Sequence, residues 1–212
     1  MAVSEVLNPK DEEGAEFYAS YVELNQYYEL FLIHPDGEIF YTVAKDVDYQ
    51  TNILSGPYSE SNLGRAVRQA MSTESTSFID FESYAPSGMA PTAFLVNPVL
   101  SSSLQEEDDW QAFVKTWSGV EEGEGNTQLL VALQLSDSTL NEVMLQRTGL
   151  GETGESYLVG PDFKLRSSTR DPNRNLASSL SGDVALNGVD TEPVRLALEG
   201  QSDTRPLSKL QR

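Results

Sequence analysis

Gly149, Gly151 and Gly154 stand at the spacing of a dinucleotide fingerprint, G-x-G-x-x-G. That motif works when a strand precedes it and a helix follows, so that the helix N-terminus meets the pyrophosphate. Here a helical pattern over 137–147 precedes and a strand-like run over 155–159 follows, so Gly149 reads as a helix C-cap. His34 is the sole histidine and the chain has no cysteine. Two-His metal sites, Cys-ligated zinc and thiol nucleophiles are therefore excluded, and a serine triad would have to use His34. His34 sits in a Pro-Asp turn without a serine motif and reads as a solvated turn residue. The paired acids Asp108/Asp109 and Glu121/Glu122 belong to an acidic run. Glycosidase chemistry needs two carboxyls facing across a cleft, so the run reads as a solvated surface, with a weak divalent-cation site as the lesser reading. The expectation is a protein that is not an enzyme, with no catalytic residues, no cofactor and no resident metal.

A binding site for a small molecule wants an apolar wall carrying a few placed polar groups. Tyr41, Lys45, Tyr58, Asp80, Tyr84, Phe94 and Asn97 supply that mixture. Strand alternation puts Ile39, Tyr41 and Val43 on one face and Phe40, Thr42 and Ala44 on the other, with Asp80 sharing a face with Tyr84. The ligand expected there is a small polar, carboxylate-bearing or amino-acid-like metabolite near Tyr84 and Asp80, with Lys45 as counter-charge. The competing reading makes the aromatics plain core and Asp80 a strand-end acid bonded to a backbone amide.

The elements that must position these residues follow from hydrophobic period and turn chemistry. Phe17, Tyr21, Leu24 and Tyr28 fall at helical spacing, predicting a helix from Ala15 to about Gln26 with these residues on its apolar face. Residues 28–33 and 38–44 form a hairpin about Pro35-Asp36-Gly37. A short amphipathic helix covers 61–72, and strands cover 77–84, 92–100 and 127–135. The expectation is one antiparallel five-stranded sheet with 61–72 packed on one face, an α+β layer. Residues 101–126 read as an acidic insertion. Asp137 opens a helix running to about Arg147, with Ser136 or Asp137 as its cap. The segment Glu29–Ile39 recurs at an offset of 126 as Glu155–Leu165, with Glu, Leu, Pro and Asp identical, and a short helix about Val194–Leu198 follows it.

Tyr27–Gly37, Thr51–Tyr58 and Asp80–Ser87 resemble the membrane-distal half of a double Cache sensor domain. Gly149–Gly160 resembles the junction that opens the membrane-proximal half. The likeness covers roughly residues 15–100 and 127–200. It implies two PAS-like modules hung on a long helix, with the ligand in the distal one. It also implies a place outside the cytoplasmic membrane in a chemoreceptor, sensor histidine kinase or receptor-type cyclase. Three features depart from the pattern. Only the last turns of the long helix are present, the 101–126 segment is longer than a tight hairpin, and the second module stops after its helix at Gly200. The implied organisation is a lead-in over 1–14, a PAS-like Cache module over 15–150 and a partial PAS-like module over 151–212.

The 212 residues carry 14 Lys+Arg against 33 Asp+Glu, a net charge of −19. That balance argues against nucleic acid or an anionic membrane surface as partner. No stretch is long and apolar enough for a membrane helix and no signal peptide is apparent, so membrane attachment is expected only through segments outside this chain. The functional expectation is an extracytoplasmic small-molecule sensor module, periplasmic as part of a receptor. It would pair as a homodimer through its N-terminal helix and serve chemotaxis or related signalling. The alternative is a structural or adhesive extracellular module.

Overall fold

The computed structural model of the chain describes residues 9, 11–101, 126–146, 148–152, 154–176, 180 and 188–202. Almost all of the acidic insertion, with its cation-site reading, lies outside the described residues. The chain forms two compact units, Met1–Thr139 and Leu140–Arg212.

In the first unit, α1 runs Glu12–Leu24. Asp11 Oδ1 accepts from Gly14 N at 2.8 Å, and Glu12 and Glu13 complement the helix dipole in the first turn. The acidic trio is thus the cap and first turn of the helix, which begins three residues before the expected Ala15. The buried face also differs from expectation. Gly14, Tyr18 and Val22 face inward, while Phe17 is 51% and Leu24 84% exposed. The helix carries two apolar stripes, and periodicity alone does not say which one meets the sheet.

Five strands follow: β1 Glu29–Ile33, β2 Ile39–Thr42, β3 Ser77–Tyr84, β4 Ala90–Leu100 and β5 Thr127–Leu135. They form one sheet in the order β2-β1-β5-β4-β3, and every neighbouring pair is antiparallel. This is the expected α+β, PAS-like sheet. Helix α2, Asn62–Thr73, lies between β2 and β3 in sequence and is capped by Ser61. It buries Leu63, Ala66, Val67 and Ala70, at i, i+3, i+4 and i+7. These pack with Phe31, Ile33, Ile53, Tyr84, Phe94, Val96, Leu130 and Ala132 into the larger core cluster. On the opposite sheet face Tyr18 and Val22 meet Leu30, Leu32, Tyr41 and Leu129. β1 is an interior strand covered by α2 on one face and α1 on the other, so it carries apolar side chains on both, which explains its unbroken run.

Two bulges overturn the simple alternation. The β1–β2 register shifts between Leu32 and Ile33, so that Tyr41 opposes Leu32 while Ile39 opposes Ile33. One extra residue moves the following side chains to the other face. Ile39 therefore sits in the α2-side core, and the Tyr41 ring meets that of Tyr18 at a tilt, 5.4 Å between centroids, on the α1 side. The β3–β4 register shifts between Ile79 and Glu82. Ile79, not Asp80, then packs with Tyr84 on the α2 side.

The second unit contains most of helix α3, Asp137–Met144, whose first turn belongs to the first unit, and helix α4, Glu192–Leu198. Because α3 ends at Met144, Gly149 lies beyond it in a turn and is not its cap. The repeat is visible as geometry. His34 N donates to Glu38 O and Gly37 N to His34 O, both at 2.8 Å. At an offset of 126, Gly160 N donates to Lys164 O and Phe163 N to Gly160 O, both at 2.9 Å. Asp36 and Asp162 each accept from the amide two residues on. Gly37 and Phe163 both have positive φ, +99° and +61°. The expected strands of this half reduce to isolated bridges, Val159 with Leu165 and Lys164 with Gly188. Leu165, Val189 and Val194 form its small core.

Candidate functional site

The polar groups of the first unit gather at one end of the α2-side face. Antiparallel register sets a row across the sheet there: Glu29 of β1 pairs with Gln134 of β5, Gln134 with Phe94 of β4, and Phe94 with Ile79 of β3. Gln134 is buried and its Nε2 donates to Ser87 Oγ, 2.8 Å, in the single 3-10 turn after β3. The β2–α2 loop leaves from this end, where Val43 N and Ala44 N donate to Glu29, and is anchored farther along at the β1–β2 turn. Asn52 organises it: Oδ1 accepts from Leu54 N and Ser55 N, both at 2.9 Å, and Nδ2 donates to Asp36 O. Ile39 N donates to Thr51 O and Ile53 N to Gly37 O. A side chain at position 37 would meet Asn52 Oδ1 and Leu54 at 2.7 Å, so the loop needs a glycine at that close approach.

This stitched loop delivers Asp48, which is 1% exposed. Tyr84 Oη donates to Asp48 Oδ2 at 2.6 Å. The Tyr84 ring packs edge-on against Phe94, 4.9 Å between centroids. Burial, and after it the Asp48 charge, hold the Tyr84 hydroxyl far above the ordinary phenol range, so it remains a neutral donor. Burial also raises the Asp48 carboxyl and the Asp46 charge adds to the rise, while the Tyr84 bond and the backbone amides of Asp48 and Tyr49 work the other way. Asp48 Oδ1 has no hydrogen-bond partner among the described residues, and neither has the buried Thr92 Oγ1 of β4. Thr92 is held in place by its carbonyl, which accepts from the buried Asn62 Nδ2 at the start of α2, 2.8 Å. An unpaired polar atom in a dry site costs on the order of 1–3 kcal/mol. Two of them, on Asp48 and Thr92, sit among the segments that converge on this end of the face.

Glu29 is likewise 1% exposed. Its Oε1 accepts from Leu30 N at 2.8 Å and Val43 N at 2.7 Å, and Oε2 from Ala44 N at 2.6 Å. Lys45 N donates to Thr42 Oγ1, so three successive amides beyond β2 are held by side chains. Burial pushes the Glu29 carboxyl up to about 7, against the pull of its three amide donors, and the charge of Asp48 adds to the rise.

Of the seven residues expected from sequence, the structure brings together Tyr84 and Phe94, with Tyr58 half-buried against the same cluster. Tyr41 is on the other face. Lys45 is exposed, in the left-handed region at φ +56°. Asp80 is half-buried, and its Oδ1 accepts from Phe81 N at 2.8 Å. Asn97 is exposed and accepts from Thr76 Oγ1 at 2.7 Å. His34 is only 19% exposed and lies 2.8 Å from Asp36 Oδ1, so it is less solvated than expected. Asp48, Thr92, Glu29 and Gln134 were not singled out by sequence. Asp48 looks like any acid in a polar loop, and Glu29 like the polar edge of an apolar run.

Among the described residues no group of three His, Asp or Glu could hold a metal ion, and no helix is long and apolar enough to cross a membrane. In the second unit a shallow pocket lined by Met144, Leu150, Glu155 and Arg170 has a volume of about 10 Å³, room for roughly one water.

No family model and no curated protein matches the chain. Among solved structures it is similar to a sensory box sensor histidine kinase from Vibrio cholerae, with 18% identity and a TM-score of 0.33. That match covers 60% of this chain and 97% of the other. It is also similar to the sensor domain of the V. cholerae histidine kinase DctB, with 13% identity and a TM-score of 0.43. Here 88% of this chain is covered, and the chain spans 55% of that one.

Proposed function

We propose that the first unit is a small-molecule-binding sensor module of an extracytoplasmic signalling receptor, and that its ligand carries a protonated amine. The observation that carries this reading is Asp48 Oδ1, a buried carboxylate oxygen without a donor, beside a neutral Tyr84 that already occupies Oδ2. A carboxylate in that setting calls for a donor with positive charge, and Thr92 Oγ1 offers a second contact on the sheet. The acceptor character of the site favours the amino-acid-like part of the sequence expectation over a purely anionic ligand. Lys45 and Asp80 drop out of the proposed contact set, and Asp48 and Thr92 enter it. The chain would act in chemotaxis or related signalling at the periplasmic face of a membrane receptor, without enzymatic activity of its own. A homodimer through α1 remains part of this proposal, with exposed Phe17, Tyr21 and Leu24 as its surface.

Thermal-shift screening against amino acids and biogenic amines tests the ligand reading. An amine present at 100 times its dissociation constant stabilises the fold by roughly 2.7 kcal/mol, a rise in melting temperature of roughly 5–11 °C for a chain of this size. Asp48→Asn weakens binding on the order of 10- to 100-fold, because a charge-assisted hydrogen bond becomes a neutral one. A silent screen at millimolar concentrations favours the structural or adhesive module instead. A shift that survives Asp48→Asn unchanged removes Asp48 from the site.

A further inference from the structure

Gln134 is a polar side chain, 1% exposed, in the row between Glu29 on β1 and Phe94 on β4. Its Nε2 donates to Ser87 Oγ at 2.8 Å. Ser87 ends the 3-10 turn Ala85–Ser87, which begins at the residue after Tyr84. The Tyr84 carbonyl accepts from Met89 N at 3.0 Å and the Ala85 carbonyl from Gly88 N at 3.1 Å, so Tyr84 and Ser87 belong to one short, closed link. Gly88 and Met89 both lie in the left-handed region, each at φ +65°, and a side chain such as that of Met89 seldom adopts it. A backbone of this kind persists where its surroundings hold it. Ser87 is the point of hold: it accepts from Gln134 and shares a hydrogen bond with the hydroxyl of exposed Tyr28. Through its backbone Gln134 belongs to the sheet. Its carbonyl accepts from Tyr28 N at 2.9 Å, and β5 ends at the next residue. Ser136 N then donates to Thr139 Oγ1 at 3.4 Å, and Thr139 Oγ1 donates to Gln26 O at 2.7 Å, in the connector between α1 and β1.

We infer that Gln134 is a positioning residue of the proposed ligand site: it holds the turn that keeps the Tyr84 hydroxyl on Asp48, and it joins that pair to β5, the strand that runs into α3. The inference rests on the reading of Asp48 as the acid that meets the ligand. A positive charge at Asp48 Oδ1 draws on the carboxylate, and the bond from Tyr84 at Oδ2 weakens because its acceptor carries less charge. Tyr84 and the turn form one link, so the change arrives at Ser87, then at Gln134, then at the first turn of α3. Gln134 acts through Ser87 and the turn, not by contact with the ligand.

The test needs no ligand and uses the full chain. The Tyr84 hydroxyl proton, buried and bonded to a carboxylate, gives a slowly exchanging proton NMR signal. Gln134→Leu and Ser87→Ala each speed its exchange by about tenfold, as expected for one lost buried hydrogen bond. Tyr28→Phe, which removes the exposed contact to the same serine, leaves the exchange within about twofold of the parent. Tyr84→Phe keeps the ring but removes the donor to Asp48, and it moves the amide signals of Ser136 and Thr139. In a Gln134→Leu or Ser87→Ala background the same substitution no longer moves them. Ser87→Ala carries both readouts if Gln134→Leu fails to fold. Unchanged exchange in both variants, equal acceleration by Tyr28→Phe, or Ser136 and Thr139 signals that ignore Tyr84→Phe or follow it equally without the Gln134–Ser87 bond overturns the inference. With a silent amine screen the expected NMR results still establish the hold and the link, and only the ligand class is lost. A bound amine with unchanged exchange overturns the hold alone, so the two failures are distinguishable.

Discussion

Phe94→Ala lowers the unfolding free energy of the first unit by about 3–5 kcal/mol in a urea titration. Phe94 is fully buried. Its ring lies 4.9 Å from Tyr84 and 6.1 Å from Phe31, centroid to centroid, edge-on to both. It sits on β4 between β3 and β5, so its removal opens a hole beneath α2 that the sheet backbone cannot close. Transfer and cavity terms then add. The same truncation has a local reading. Tyr84 loses the ring that fixes its hydroxyl toward Asp48, so the site loosens with the core. Asn97→Ala, three residues along the same strand but exposed, stays within about 0.5 kcal/mol of the parent. A Phe94→Ala variant that is as stable as Asn97→Ala would mean that β4 does not carry the core described.

The second large effect is a dependence of stability on pH. The folded Glu29 carboxyl titrates at about 7, against 4.5 for an unperturbed one. Between those values the native state holds a proton that the unfolded chain has lost, so stability falls as pH rises through this window. It is complete below pH 4.5 and flat again above about pH 7 for this group. The linkage amounts to roughly 3 kcal/mol. Asp48, also raised, acts with the same sign. Glu29→Gln removes the Glu29 share of the slope. The amide keeps the acceptor facing Leu30 N and Val43 N but sets a donor against Ala44 N, so the variant starts less stable. The readout is therefore the slope between pH 4.5 and 7, not the absolute value. A variant whose slope equals that of the parent would place the titration elsewhere.

What the sequence made legible was the set of elements. The five strands were marked by β-branched and aromatic runs and by turn residues, and α2 by four apolar residues at helical spacing. The turn at Pro35-Asp36-Gly37 was legible because Pro sets φ and Gly is free to take φ > 0, and Pro161-Asp162-Phe163 because it repeats at an offset of 126; in the structure each Asp caps its turn and each third residue adopts positive φ. Three things were not. A bulge adds one residue without any signature in residue type, so Tyr41 was assigned to the wrong face and Asp80 was grouped with Tyr84. Helix α1 has two apolar stripes, and only the sheet decides that Tyr18 and Val22 go inward. The buried acids escaped notice because composition does not tell a solvated carboxylate from one held by backbone amides. Glu29 and Asp48 acquire their character from register and loop closure, which are long-range properties. Tyr84 and Phe94 lie together in the core because aromatic residues on a strand flag a core whatever the register.

The central claim is that Asp48 is the acid a ligand meets. A crystal structure of the full chain soaked with the strongest amine from the thermal-shift screen tests it most directly. The account predicts the ligand nitrogen within about 2.7–3.2 Å of Asp48 Oδ1, with Tyr84 Oη still on Oδ2. A ligand bound elsewhere, with Asp48 Oδ1 occupied by an ordered water in both the soaked and the unsoaked crystal, would contradict it.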